Sequence, residues 1–100
     1  MLKHVILWQL KDDLSEDEKV KIKADIKKGL EDLKGVVPGL VDIHVYIDGL
    51  ATSNADVLLD STLVDEDALK GYAVHPAHVA VAKKKVVPYT KTRTCMDTIV

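Results

Sequence analysis

The chain has 100 residues, a formal net charge of −2 and one cysteine. That length makes one domain with a thin margin of core. The charge excludes the basic footprint of a nucleic-acid binder, and a single thiol excludes an internal disulfide. Phe is absent, and three Tyr and one Trp are the whole large-aromatic content, so the core must be aliphatic.

LKHVILWQL, residues 2–10, reads as a first strand. Leu2, His4, Ile6, Trp8 and Leu10 share one face, and Val5 and Leu7 lie on the other, so both faces call for cover. The same stretch lacks the pattern of a secretory leader. No segment approaches the roughly 20 apolar residues that span a bilayer. The expectation is a cytoplasmic protein with no membrane or nucleic-acid partner.

SEDEKVKIKADIKKGLEDLKG, residues 15–35, reads as a helix. Ser15 and Glu18 form a capping box, Ile22, Ile26, Leu30 and Leu33 make an apolar stripe, and Gly35 is placed to end it. Its six Lys and six acids cancel. Asp17–Lys21 and Lys28–Asp32 stand at i,i+4, so its charged face is read as solvated.

Residues 41–47, VDIHVYI, alternate as a strand, with Val41, Ile43, Val45 and Ile47 on one face. His44 is on the other face and is assigned no role. A short loop leads to a third strand over residues 55–64. Asp65 can cap a short helix, EDALKGYAV. His75-Pro76 breaks it, because proline cannot continue the hydrogen-bond ladder. Pro76 can open a second helix, roughly 76–86, with Lys83 to Lys85 at its C-terminal end. Residues 90–100 form the last strand.

The order β-α-β-β-α-β, with its second helix broken, predicts a single α+β domain over residues 1–100. It is the ferredoxin-like arrangement, a four-stranded antiparallel sheet with the helices on one face. The other face, where Val5 and Leu7 lie, would be bare in a monomer. A two-fold homodimer that packs the bare faces together is the economical solution.

GYAVHPAHV gathers Tyr72, His75 and His78 into seven positions. An imidazole at His78 suits proton abstraction beside a carbonyl, and a Tyr72 hydroxyl can donate to the oxyanion that forms. The plainer reading has His75 capping a helix, His78 in its first turn, and Tyr72 filling core space with its hydroxyl at the rim. His4 shares its strand face with Ile6 and Trp8, and is either a pocket residue or a satisfied core histidine. His75 and His78 are the only closely spaced histidines, across a proline and without a second ligand pair, so no metal site is expected. Cys95, mid-strand beside Met96, reads as a buried packing residue.

LKHVILWQLKDD, ALKGYAVHPAHVAVAKK, and the tail VVPYTKTR with Met96-Asp97 resemble the stress-responsive A/B barrel domain (Dabb) family over nearly the whole chain. The resemblance implies a dimeric α+β barrel built from two ferredoxin-like protomers. The HPAHV block, with Tyr72 ahead of it, is similar to that of plant polyketide cyclases in the family. By position, that resemblance implies His78 as base, Tyr72 as the group that holds a carbonyl oxygen, and His4 and Asp97 lining the same cavity. His75, Ile6 and Trp8 are expected to complete its lining. With no Phe, and with Ile22, Ile26 and Leu30 on the first helix, the cavity is expected to be aliphatic-walled. It would take small carbonyl or short acyl compounds, without a cofactor. The alternative is a non-catalytic stress-associated dimer with that space filled.

Overall fold

The computed structural model describes residues 1–100. β1, Leu2–Leu10, is followed by α1, Glu16–Glu31, then by β2, Leu40–Tyr46, and β3, Val57–Leu63. α2, Glu66–Val74, and α3, Pro76–Val81, lead through a π turn at Ala82–Val86 and a 3-10 turn at Val87–Tyr89 into β4, Thr90–Ile99. The sheet order is β2-β3-β1-β4, antiparallel throughout, so the two central strands are β1 and β3. This is the ferredoxin-like α+β fold.

Local signals in the chain account for most of these boundaries. Ser15 accepts the Glu18 N–H at 3.1 Å and Glu18 accepts the Ser15 N–H at 3.1 Å, the two halves of a capping box. The buried side chains Ile22, Ile26 and Leu30 form the inner stripe of α1. The helix ends before Gly35, which sits at φ +83° in the turns that follow. The Asp32 N–H turns back onto the Lys28 and Leu30 carbonyls.

The charged face of α1 pairs as Lys21–Asp25 at 3.0 Å, Lys27–Glu31 at 2.8 Å and Lys28–Asp32 at 2.9 Å. Lys21 therefore reaches toward Asp25 and not back to Asp17. One of these pairs also holds the sheet. Lys27 donates to the Val45 carbonyl at 2.7 Å, and Glu31 accepts the Val45 N–H at 2.9 Å. Val45 lies on β2, an edge strand, so the pair satisfies backbone groups that would otherwise be open to another chain.

Three features depart from the sequence reading. The register of β2 shifts between Leu40 and Asp42. That irregularity turns Leu40 inward and Val41 outward, and inward alternation resumes at Ile43 and Val45. One extra residue reverses which face a strand position takes. The helix expected over 76–86 holds α geometry only to Val81. It then widens into the π turn, where the Val87 N–H bonds to the Ala82 carbonyl, and Pro88, which has no N–H, follows in the 3-10 turn. Cys95 is exposed and is not a packing residue. It lies on β4, an edge strand along which Thr90 alone is partly buried.

The core lies between the helices and the inner sheet face, in one cluster that includes Ile6, Trp8, Ile26, Val45, Leu59 and Tyr72. The outer sheet face carries Leu7, which is 39% exposed, Tyr46 at 55% and Met96 at 69%. Met96 pairs directly with Val5 across β1 and β4. Ile26 is 0% exposed at the centre of α1. Ile26→Ala is expected to cost about 2–5 kcal/mol of unfolding free energy, read from the midpoint of a urea transition.

Candidate functional site

Two helix ends and two strands build the site. Asp65 starts α2 by accepting the Ala68 N–H at 2.8 Å, and Tyr72 falls on the inner side of that helix, 1% exposed. His75 then takes extended backbone, φ −62° and ψ 132°, between α2 and α3. Its Nδ1 accepts the Ala77 N–H at 3.1 Å, which caps α3 and places the ring proton on Nε2. The restarted helix brings His78 back against Tyr72, with ring centroids 4.3 Å apart and planes inclined by 36°.

His78 lies 3.3 Å through Nδ1 from the Ala73 carbonyl oxygen. A carbonyl only accepts, so Nδ1 carries the proton and Nε2 keeps the lone pair. Burial, the largest cause, holds the His78 imidazole below its ordinary value of 6.5. The bond to Ala73 opposes this, and the charges of His4, Arg93 and His75 add to it. His78 is therefore neutral at pH 7 and able to accept a proton. Burial pushes the Tyr72 phenol up to about 12, so Tyr72 keeps its proton and can donate it. The Tyr72 hydroxyl is buried and has no hydrogen-bond partner.

His4 enters from β1, 6% exposed, with its ring edge toward Tyr72 at 5.9 Å between centroids. Its cross-strand partner on β4 is Asp97, and the His4 Nδ1–H donates to the Asp97 carboxylate. That bond sets the tautomer and angle of the His4 ring. The Ser61 hydroxyl donates to the His4 carbonyl at 2.9 Å and steadies the backbone behind it. Cys95 lies on the same face, with Sγ 3.8 Å from His4 Nδ1 and 3.7 Å from Asp97. Desolvation first, then Asp97, raises its thiol, so Cys95 is not set up as a thiolate nucleophile.

His4, Tyr72 and His78 border a cavity of about 360 Å³ between sheet and helices. Its size falls at the small end of the roughly 300–1,000 Å³ range of ligand sites. His4, Ile6, Trp8, Tyr72 and His78 are in its wall. Two residues expected in the lining are elsewhere. His75 caps α3 because its extended backbone puts Nδ1 over the first turn of that helix. Asp97 stands behind His4 and touches the site through that ring. Of the expected α1 wall, Leu30 reaches the cavity, while Ile26 is sealed in the core and Ile22 borders a different cleft.

Sequence reasoning missed Val86, Val87, Lys91 and Arg93. The first two come from the irregular turns before β4, which no periodicity marks. Arg93 had a signal. It shares the inner face of β4 with Cys95 and Asp97 at spacing two and four. His4, Cys95 and Asp97 are the one group whose nitrogen, sulfur and oxygen atoms all lie within 4.8 Å and could close on a metal ion. The His75–His78 spacing, considered from sequence, forms no such group.

The family model of the stress responsive A/B barrel domain matches residues 2–100. No curated protein matches the chain. Among solved structures, the chain is similar to a dimeric, ferredoxin-like protein of unknown function from Bacteroides fragilis. The identity is 29% and the TM-score 0.91, covering 97% of this chain and 93% of that one. A dimeric ferredoxin-like protein of unknown function from Thermobifida fusca is similar at 25% identity and TM-score 0.81, covering 99% and 90%. A hydroxynitrile lyase from Passiflora edulis shares the fold at 17% identity and TM-score 0.73, covering 99% and 92%.

Two outcomes follow from the buried ring pair. Tyr72→Phe is expected to leave the melting transition unchanged or raised. Losing a hydrogen bond that was made would instead lower stability by about 0.5–1.5 kcal/mol. The folded chain also protonates His78 less readily than the unfolded chain does. The stability tied to His78 is thus fully present above the ordinary value of 6.5 and is lost as pH falls through the lower folded value. His78→Gln should flatten that part of a stability–pH curve measured by urea titration.

Proposed function

Because the chain belongs to the stress responsive A/B barrel domain family, we propose that it acts as a two-fold homodimer whose protomers each bind a small carbonyl compound and exchange a proton with it. The observation that carries this reading is the Tyr72 hydroxyl. It is buried, protonated and unpartnered, in the wall of an open cavity and against a neutral imidazole. A buried hydroxyl without a partner is costly, and a small turn of the Tyr72 ring toward the cavity beside it would let a ligand carbonyl oxygen accept from it.

The chemistry uses the chain's own groups. His78 Nε2 takes a proton from the carbon next to the carbonyl. The C–H bonding pair moves into the enolate, and its negative oxygen accepts the Tyr72 O–H. Returning the proton from Nε2 completes the cycle, with no oxidant or cofactor consumed. His4, oriented by Asp97, closes the polar side of the space. The apolar wall of Ile6, Leu30, Leu59 and Val86 limits the ligand to a compact one. A non-catalytic dimer would fill this space with aliphatic side chains, and the open volume of about 360 Å³ favours the pocket reading.

The dimer reading rests on the outer sheet face, where Leu7, Tyr46 and Met96 are exposed together with half-buried Val5 and Leu58. Both similar bacterial structures named above are described as dimeric. Equilibrium sedimentation is expected to give twice the 11.0 kDa chain mass. Leu7→Lys combined with Met96→Lys should shift it toward the monomer. A monomeric wild type at micromolar concentration would refute the dimer.

Proton exchange can be read directly, by following deuterium uptake next to the carbonyl of a small ketone in heavy water by NMR. His78→Ala is expected to slow the protein-dependent rate by about 10²–10⁴-fold. Tyr72→Phe is expected to slow it by about 10²–10³-fold, the usual effect of removing one oxyanion donor. The rate should stay level from neutral pH to below the ordinary imidazole value of 6.5, then fall as His78 takes up a proton. Equal rates with and without the protein would refute the catalytic role.

A further inference from the structure

We propose that the ligand of this cavity is an oxo acid, a small compound bearing a carboxylate as well as the carbonyl, and that Arg93 selects it. This inference rests on the pocket reading above and names its substrate class.

The cavity wall has an unbalanced charge. The chain as a whole has more acids than bases, 16 against 14, yet no Asp or Glu lines this space. Two cations do, Lys91 and Arg93, both from β4. Lys91 is committed, since its ammonium meets Asp12 at 2.7 Å. No ion pair in the structure includes Arg93. A guanidinium in a cavity wall, without a carboxylate of its own chain, is a site for one from outside. Its planar fork fits a carboxylate with two parallel N–H bonds.

Register sets the spacing. Arg93 pairs with Trp8 and Asp97 pairs with His4, so the cation stands four residues along the sheet from the His4–Asp97 end. At about 3.3 Å per residue, that separates the two backbone positions by about 13 Å. Arg93 has a long side chain and His4 points into the same space. A ligand can thus set its carboxylate at the Arg93 end while its carbonyl faces Tyr72 and His78. The apolar side chain between, Ile6 on β1, with Trp8 beside the Arg93 end, suits a short methylene link. A neutral ketone would leave the exposed guanidinium to water and gain nothing from it, so the charge works as a selector and the Tyr72–His78 pair as the reacting end.

The test compares levulinate with methyl levulinate, which has the same carbonyl and chain but no charge. Binding is followed by isothermal titration and by NMR shifts of the Tyr72 and His78 rings. Arg93 is exposed, so wild type is expected to bind the acid tighter than the ester by about two- to fivefold, the scale of one solvent-screened ion pair. Arg93→Gln should weaken binding of the acid more than binding of the ester and so remove most of that difference. Arg93→Lys should restore part of it, because it keeps the charge and loses the fork. Equal affinity of wild type for acid and ester would overturn the inference while the pocket reading stands. So would an equal loss for both ligands in a folded Arg93→Gln. If neither compound binds or moves the Tyr72 and His78 signals, the pocket reading itself fails and the inference with it.

Discussion

The missing N–H of Pro76 is the constraint around which the site is arranged. A continuous helix from Glu66 onward would carry Tyr72 and His78 around its surface at 100° per residue, six positions apart. The break at His75 re-aims the chain. His75 adopts extended backbone, caps the next helix with its own ring, and lets that helix start at a proline whose lost donor costs nothing there. The two rings then meet at 4.3 Å. The histidine at the break supplies geometry, and the histidine three residues on faces the cavity.

The second organising element is the pairing of β1 with β4. It places Asp97 opposite His4 and Arg93 opposite Trp8. A carboxylate thereby stands behind a buried imidazole at one end of the cavity, with a guanidinium at the other. β4 is an edge strand covered by little of the helical layer, so its inward residues are still exposed. The cavity lies where α1, packed mainly against β2, leaves the β1–β4 side of the sheet less covered, and where the chain between α3 and β4 runs as π and 3-10 turns and not as a full helix. Irregular turns of this kind are common next to functional sites, where a regular helix would fill the space.

The same sheet has an aliphatic inner layer and a mixed outer one. With no Phe in the chain, the inner layer packs through Ile, Leu and Val around a single Trp. Aliphatic side chains fill irregular space well but offer few flat surfaces. The polar contacts of the cavity therefore come from a few convergent groups. The outer layer shows Val5, Leu7, Leu58 and Met96 among threonines and charges, a surface suited to pairing with its own copy.

Sequence alone determined the elements whose signals are local. The capping box at Ser15 and Glu18, the Asp65 cap, the alternation in residues 2–10 and the break at His75-Pro76 each depend on neighbours within about four positions, and each stands where the pattern put it. The ferredoxin-like order followed from those elements and their sequence. Tertiary structure decided the rest. The shift at Leu40–Asp42 that turned Val41 outward, the exposure of Cys95, the retreat of His75 from the cavity and the approach of Arg93 to it all depend on register, cover or side-chain direction. The pairing of His4 with Asp97 spans 93 positions, a distance at which no periodicity carries information and only the packed sheet brings the two groups together.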